Sequence, residues 1–199
     1  MTTALDLRTH AALYEAGQAV ARFRLGLEPV GLSIVPIIKP GVEEVSANRR
    51  CDVDMESARV QIVCLLAGNA AQQVAGIPRG KTVRVGDDDL EEVHAIADLW
   101  GLERELRSCK ARATRMMREP TNAQAVFAIA NCLLARDEIS AEMTVLLIHY
   151  ADGDCSDPQM LESLLKHGWL DFDDSHVSVL RTIMRQLIST VLWRTPSSG

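Results

Sequence analysis

The chain has 199 residues, of which 47% are hydrophobic and 24% charged, and its net charge is −6. This balance is typical of a folded globular protein and excludes wholesale disorder and collagen-like repeats. The acidic balance and an aromatic content of 4% argue against nucleic acid and membranes as partners. Scattered cysteines without a C-x-x-C pair, and the absence of a signal peptide or a long apolar stretch, predict a soluble cytoplasmic protein with reduced thiols.

Helical periodicity dominates the chain and predicts a mainly α fold, a helical array with a small two-stranded β-ribbon. Asp6 or Thr9 is the expected cap of the first helix, Trp100-Gly101 closes the third, and Ser140 caps the sixth. The predicted helices cover residues 7–25, 54–75, 87–100, 104–118, 122–136, 140–150, 157–167 and 175–193.

The ribbon is predicted from two short β-branched segments. Residues 30–38 favour a strand, in which Pro36 indicates an edge or a bulge, and residues 42–47 return as the second strand after a turn at Gly41. A turn-rich segment at 151–157 is the expected boundary between a domain of residues 1–150 and a C-terminal helical extension, 151–199, packed on it.

The most informative segment, residues 11–20, is A-A-L-Y-E-A-G-Q-A-V. Its pattern is that of a zincin helix, H-E-x-x-H, in which two histidines one turn apart bind zinc and the glutamate polarises water. Tyr14 and Gln18 stand at the histidine positions, and Glu15 is retained. The segment resembles A-A-x-H-E-A-G-H-A-V, the form found in the peptidase domain of FtsH-type zinc metalloproteases.

Four later segments are similar to further motifs of that family, so that the resemblance covers residues 7–149. It implies an FtsH peptidase-domain-like fold without the family's ATPase module, in which Asp89 stands at the position of the third zinc ligand. The four segments are P-V-G-L-S-I-V-P at 29–36, L-L-A-G-N-A-A-Q-Q at 65–73, D-D-L-E-E-V-H at 88–94 and L-L-A-R-D-E-I-S at 133–140.

A catalytic zinc site needs three protein ligands and an open water position. Of the ligands that the resemblance implies only Asp89 remains, since Tyr14 would have to bind as a phenolate and the amide of Gln18 is a poor zinc donor. We therefore expect no zinc, no other cofactor and an inactive Glu15. The expected protein is a pseudopeptidase in which Tyr14, Gln18 and their acidic neighbours form a hydrogen-bonded polar cluster.

Three functional hypotheses follow. The first is a peptide-binding or protein-binding module that uses the strand at 30–38 as an edge for an extended peptide. The second is an active metal-dependent hydrolase with Glu15 as general base and replacement ligands such as His10 or His94. The third is a structural helical partner that forms homo-oligomers, because peptidase domains of the family that it resembles form rings.

Two further patterns have ordinary explanations. Residues 75–82, A-G-I-P-R-G-K-T, match a loose Walker A motif, but the preceding segment is predicted to be a helix and Pro78 removes a phosphate-binding N–H. We expect a basic surface loop there and no ATP binding. The basic run at 104–118 predicts a solvated helix face, with an acidic partner or nucleic acid as the alternative.

Overall fold

A computed structural model describes residues 4–35, 54–77 and 87–153 of the chain. Of these residues 81% are helical, and one small antiparallel sheet accompanies the helices, which confirms the predicted mainly α class with a two-stranded ribbon. The elements are α1 (Ala4–Arg24), β1 (Leu32–Ser33), α2 (Met55–Val74), α3 (Asp87–Trp100), a 3-10 helix (Glu103–Glu105), α4 (Leu106–Arg118), α5 (Pro120–Arg136), β2 (Glu138–Ile139) and α6 (Ala141–Asp152).

Local capping signals explain most of the helix ends. The Asp54 side chain accepts a hydrogen bond of 2.7 Å from the Ser57 N–H and starts α2. Gly101 adopts a φ of 65° directly after α3, and Pro120 occupies the first turn of α5. The Ser140 hydroxyl accepts a hydrogen bond of 3.3 Å from the Met143 N–H at the start of α6. The predicted helix ends at Gly101 and Ser140 are therefore confirmed, and Asp54, the first residue of the predicted second helix, is its N-cap.

The predicted starts of three helices were wrong by two or three residues, one of them α5, which begins at Pro120 instead of residue 122. Helix α1 begins at Ala4, before both Asp6 and Thr9, so neither residue caps it. The fourth predicted helix begins with a 3-10 helix at Glu103–Glu105 and becomes α-helical only from Leu106. Tighter 3-10 turns are common at helix ends, and here the chain has just turned at Gly101.

The strand pairing also differs from the prediction. Within the described residues β1 covers two residues of the predicted segment 30–38, and its partner is β2, with Leu32 opposite Ile139. The predicted partner, 42–47, lies outside the described residues. The ladder is short because β2 lies between Asp137, which ends α5 with a φ of 64°, and Ser140, which caps α6.

Helix α1 lies at the centre of the described array, where it packs against α2 and α5, while α2 also contacts α3 and α4 and α5 contacts α6. Because two helices cover it, α1 is buried on most of its circumference and lacks a clean polar stripe. The largest fully buried apolar side chains of the described part are Leu13, Val20, Ile62, Leu102, Met117, Ile129, Leu133, Leu147 and Ile148.

Two glycines allow α1 and α2 to approach closely. A Cβ atom on Gly17 would lie 2.5 Å from the Cβ of Ala71 and 2.7 Å from the carbonyl oxygen of Ala67. A Cβ atom on Gly68 would lie 2.7 Å from the ring of Tyr14. Neither contact is sterically tolerable, so this helix pair requires glycine at both positions.

The chain divides into two units, Met1–Asp152 and Gly153–Gly199. Every described helix and strand belongs to the first unit. The predicted helices at 157–167 and 175–193 lie outside the described residues, and the packing of the 151–199 extension stays a prediction. None of the helices in the described part of the chain is long and apolar enough to cross a membrane.

We expect the substitution Gly17→Ala to lower the free energy of unfolding by about 1–3 kcal/mol, because the added methyl group must push α1 and α2 apart. Urea unfolding followed by circular dichroism measures this change. Gly31→Ala is the matched control, since its Cβ would meet only the Ile139 carbonyl oxygen at 3.4 Å. Equal stability of the two variants would contradict the close packing at Gly17.

Candidate functional site

A polar cluster joins the middle of α1 to the first turn of α3. Tyr14 and Gln18 are one helical turn apart and therefore share a face of α1. The Tyr14 hydroxyl donates a hydrogen bond to Oδ2 of Asp89, and Nε2 of Gln18 donates to the same oxygen at 2.6 Å. Side chains that are 71 and 75 positions apart along the chain thus meet at one carboxylate oxygen.

Tyr14 is a neutral donor in this cluster. Its side chain is buried, with 2% exposure, and its ring lies against the backbone of Gly68. Burial raises the pKa of Tyr14 well above its usual range, the hydrogen bond and the charge of Asp89 raise it further, and the charge of Glu15 adds to this; only a hydrogen bond with Gln18 opposes them. The phenol therefore keeps its proton at physiological pH.

Glu15 is the group in the cluster that titrates near neutral pH. It is half-buried on α1, next to Tyr14 in sequence. Burial, and secondarily the negative charge of Asp89, raise the pKa of Glu15 to about 7. A carboxyl group with this pKa can both donate and accept a proton at pH 7, as general acids and bases in active sites do.

Asp89 is half-buried in the first turn of α3, which begins at Asp87. The positive end of a helix dipole favours a carboxylate at this position, so the local sequence is suited to holding a negative charge here. With the two donors on α1, the carboxylate forms a polar contact between α1 and α3.

This set of side chains does not fit zinc. Zinc needs deprotonated or imidazole ligands, whereas the surroundings of Tyr14 favour the protonated phenol. Oδ2 of Asp89, the oxygen nearest the cluster's donors, already accepts two hydrogen bonds. Within residues 4–35, 54–77 and 87–153, no three His, Cys, Asp or Glu side chains are grouped so that they could hold a metal ion.

The two candidate replacement ligands, His10 and His94, lie on the same helices as the cluster, α1 and α3. His10 is half-buried one turn before Tyr14, and its carbonyl oxygen accepts a hydrogen bond of 2.9 Å from Nε2 of the buried Gln72. His94 is exposed on α3. The structure therefore brings together Tyr14, Gln18 and Asp89, with Glu15 close enough to interact electrostatically, and leaves His94 facing solvent.

The residue that sequence reasoning missed at this site is Gly68, which makes room for the Tyr14 ring. A sequence signal for it exists: glycine inside a predicted helix costs about 1 kcal/mol relative to alanine, so an interior glycine often marks a close approach. For the Walker-like segment, the preceding residues form α2 as predicted, instead of the strand that a phosphate-binding loop requires. Residues 78–82 of that segment lie outside the described residues.

No protein-family model matches the chain, and no curated protein is significantly similar to it.

The raised pKa of Glu15 predicts a specific pH dependence of stability. The native pKa is about 7 and the ordinary value is 4.5, so between these pH values the folded protein binds the additional proton. The contribution of Glu15 to the free energy of unfolding is therefore greatest below pH 4.5 and is lost as the pH rises through 7. We expect Glu15→Gln to remove this loss, which is on the order of 2 kcal/mol.

Urea unfolding of the parent protein and of Glu15→Gln, each at pH 5 and pH 8, measures this effect. The quantity of interest is the difference between their free energies of unfolding and how it changes with pH. The variant should gain stability relative to the parent protein as the pH rises. Glu91→Gln, at an exposed position on α3, is the control and should show a constant difference. A constant difference for Glu15→Gln as well would mean that Glu15 is ionised and well solvated in the native protein.

Proposed function

We propose that this chain is a degenerate relative of FtsH-type zinc peptidases that acts as a non-catalytic module for binding a peptide or a protein. The observation that carries the proposal is the meeting of Tyr14 and Gln18 at Oδ2 of Asp89. These are the three positions that the motif resemblance equates with zinc ligands. Three motif positions that are far apart along the chain thus lie together in the structure.

The chemistry of the cluster supports the proposal that this chain no longer binds zinc. In a zinc site the cation balances the charge of the acidic ligand, whereas here two neutral donors stabilise the Asp89 carboxylate. With tyrosine and glutamine at the two histidine positions, the Asp89 carboxylate keeps two hydrogen-bond donors and is not left as a charge without a partner. In this proposal the protein holds no zinc or other cofactor and has no proteolytic activity.

A second candidate function is a metal-dependent hydrolase with unconventional ligands and Glu15 as general base. The pKa of Glu15, raised to about 7, favours it, because general-base catalysis is most efficient when the pKa lies near the working pH. Elemental analysis of protein purified without a metal-affinity step distinguishes the candidates. A zinc content near zero supports the pseudopeptidase, and about one zinc per chain supports the hydrolase.

The proposed docking edge for an extended peptide is β1. The Ile34 N–H donates to the carbonyl oxygen of Asp137 at 2.8 Å, towards the β2 side of the ladder. Because hydrogen bonding alternates along an antiparallel pair, the backbone N–H and C=O of Ser33 face away from β2. A peptide that adds to this edge would pair with those groups by β-augmentation.

We expect the double substitution Tyr14→His/Gln18→His to create zinc binding, because it supplies two imidazoles one turn apart, facing the Asp89 carboxylate. Isothermal titration calorimetry should give about one zinc per chain with a micromolar or lower Kd, against no binding for the parent protein. Adding Asp89→Asn to the double variant should weaken zinc binding about tenfold or more.

A double variant that keeps its helical circular dichroism spectrum but takes up no zinc would contradict the assignment of Asp89 to a ligand position. Undiminished zinc affinity after Asp89→Asn would contradict it as well, because the zinc would then be held elsewhere. Either outcome would remove the spatial support for the family resemblance.

The peptide-binding part of the proposal is tested with Ser33→Pro, which removes the outward N–H of β1. Peptides selected by phage display on the folded protein serve as probes, and fluorescence anisotropy gives their Kd. We expect Ser33→Pro to weaken binding about tenfold, while Ser33→Ala, which keeps the N–H, changes it less than about twofold. Equal affinities for both variants would exclude β1 as the docking edge.

A further inference from the structure

Helix α4 carries a strongly basic outer face. Its 13 residues, Leu106–Arg118, include five cationic and no acidic side chains, although acidic residues outnumber basic ones by 27 to 21 in the whole chain. The buried stripe of α4 consists of Cys109, Ala113 and Met117, at successive helical turns. We call the exposed cations of this helix and of the turn before it that form no ion pair within the described residues the basic ridge: Arg104, Arg107, Lys110, Arg115 and Arg118.

Within residues 4–35, 54–77 and 87–153, the fold supplies no ion-pair partner to the basic ridge. Among the described residues, no ion pair or hydrogen bond involves the side chain of a ridge member, although the Lys110 carbonyl oxygen accepts a hydrogen bond of 2.9 Å from the Thr114 hydroxyl. Other arginines of the same chain are paired: Arg59 binds Glu105 at 2.8 Å and Arg112 approaches Glu56 at 3.9 Å. Within the described residues, exposed cations without an ion pair are thus concentrated on α4 and the turn before it.

Like charges three residues apart on a helix repel each other. The ridge contains three such pairs, Arg104/Arg107, Arg107/Lys110 and Arg115/Arg118. This repulsion opposes the folding of α4, and the helix dipole offsets part of it by favouring Arg115 and Arg118 in the last turn. Local conflicts of this kind are expected at functional sites, so the repulsion favours a role in binding for this face.

We propose that the basic ridge is a docking surface for an acidic polypeptide segment. Its length, about 21 Å from Arg104 to Arg118 at 1.5 Å per residue, matches an acidic helix of about four turns. Arginine, which forms four of its five members, binds carboxylates through two parallel hydrogen bonds. The exposed Ser108 and Ala111 lie between the ridge arginines, and their small side chains leave room for the backbone of the bound segment to approach α4.

The same observations disfavour nucleic acid as the occupant. Exposed Glu103 and Glu119 bound the ridge at both ends, so that a longer polyanion would meet like charges beyond it. No aromatic side chain lies in the segment from Glu103 to Glu119, and single-stranded nucleic acids bind largely by stacking on such residues. The net charge of −6 opposes the approach of an extended phosphate backbone.

The experiment uses the full chain and a fluorescein-labelled helical peptide of 15 residues, with glutamates at i, i+4 spacing on one face and alanines elsewhere. A peptide with glutamine at every glutamate position is the ligand control. Fluorescence anisotropy at low and physiological salt gives the Kd for the parent protein and two double variants. The test variant is Arg107→Gln/Arg115→Gln, and the matched control is Arg112→Gln/Arg136→Gln, which removes the same charge outside the ridge.

We expect salt-sensitive binding of the acidic peptide and none of the glutamine peptide. The ridge variant should bind about fivefold or more weakly and the control variant less than about twofold, with thermal melts establishing that both remain folded. No binding of the acidic peptide, or equal losses for the two variants, would overturn the proposal. Tighter binding of a 20-base-pair DNA duplex or a 20-nucleotide RNA, lost in the ridge variant, would overturn it in favour of nucleic acid.

Discussion

The close contact of α1 and α2 is the constraint on which the described structure depends. Gly17 and Gly68 bring the two helix backbones together, and this proximity buries α1 between α2 and α5. Burial of α1 in turn removes water from Tyr14 and raises the pKa of both Tyr14 and Glu15. The electrostatic character of the polar cluster is therefore a consequence of backbone packing as much as of the residues that form it.

Charge is compensated by hydrogen bonds in the cluster, but not on the basic ridge of α4 within the described residues. In the cluster, two neutral donors stabilise the carboxylate of Asp89, so the site is internally satisfied. On α4, the cations of the ridge lack partners within the described residues and remain exposed to solvent. The groups of the cluster therefore satisfy one another, whereas the ridge presents its charges to solvent. The two proposals are independent, because no member of the ridge contributes to the cluster.

The parts of the fold that local signals determine could be predicted from the sequence. Asp54, Gly101 and Ser140 act through bonds or dihedral angles within a few residues, and the helix ends that they define were found within one or two positions. Strand β2 could not be predicted, since two residues carry no periodicity and its pairing with β1 depends on the end of α5. At the site, helical spacing places Tyr14 beside Gln18, but only the motif resemblance suggested Asp89 as their neighbour, and its functional role stays a proposal.

The attachment of α3 has a dynamic consequence. Of residues 89–100 in this helix, only Val93 and Ala97 are buried, so its apolar contribution to stability is small. Its main packing partner is α2, and the hydrogen bonds from Tyr14 and Gln18 to Asp89 supply much of its connection to α1. Polar contacts of this kind can break locally without global unfolding. Amide hydrogens of α3 should then exchange with solvent through sub-global opening, on a shorter timescale than those of α1 and α5. Opening of the two hydrogen bonds to Asp89 would expose Tyr14, Gln18 and Asp89 to solvent in one step.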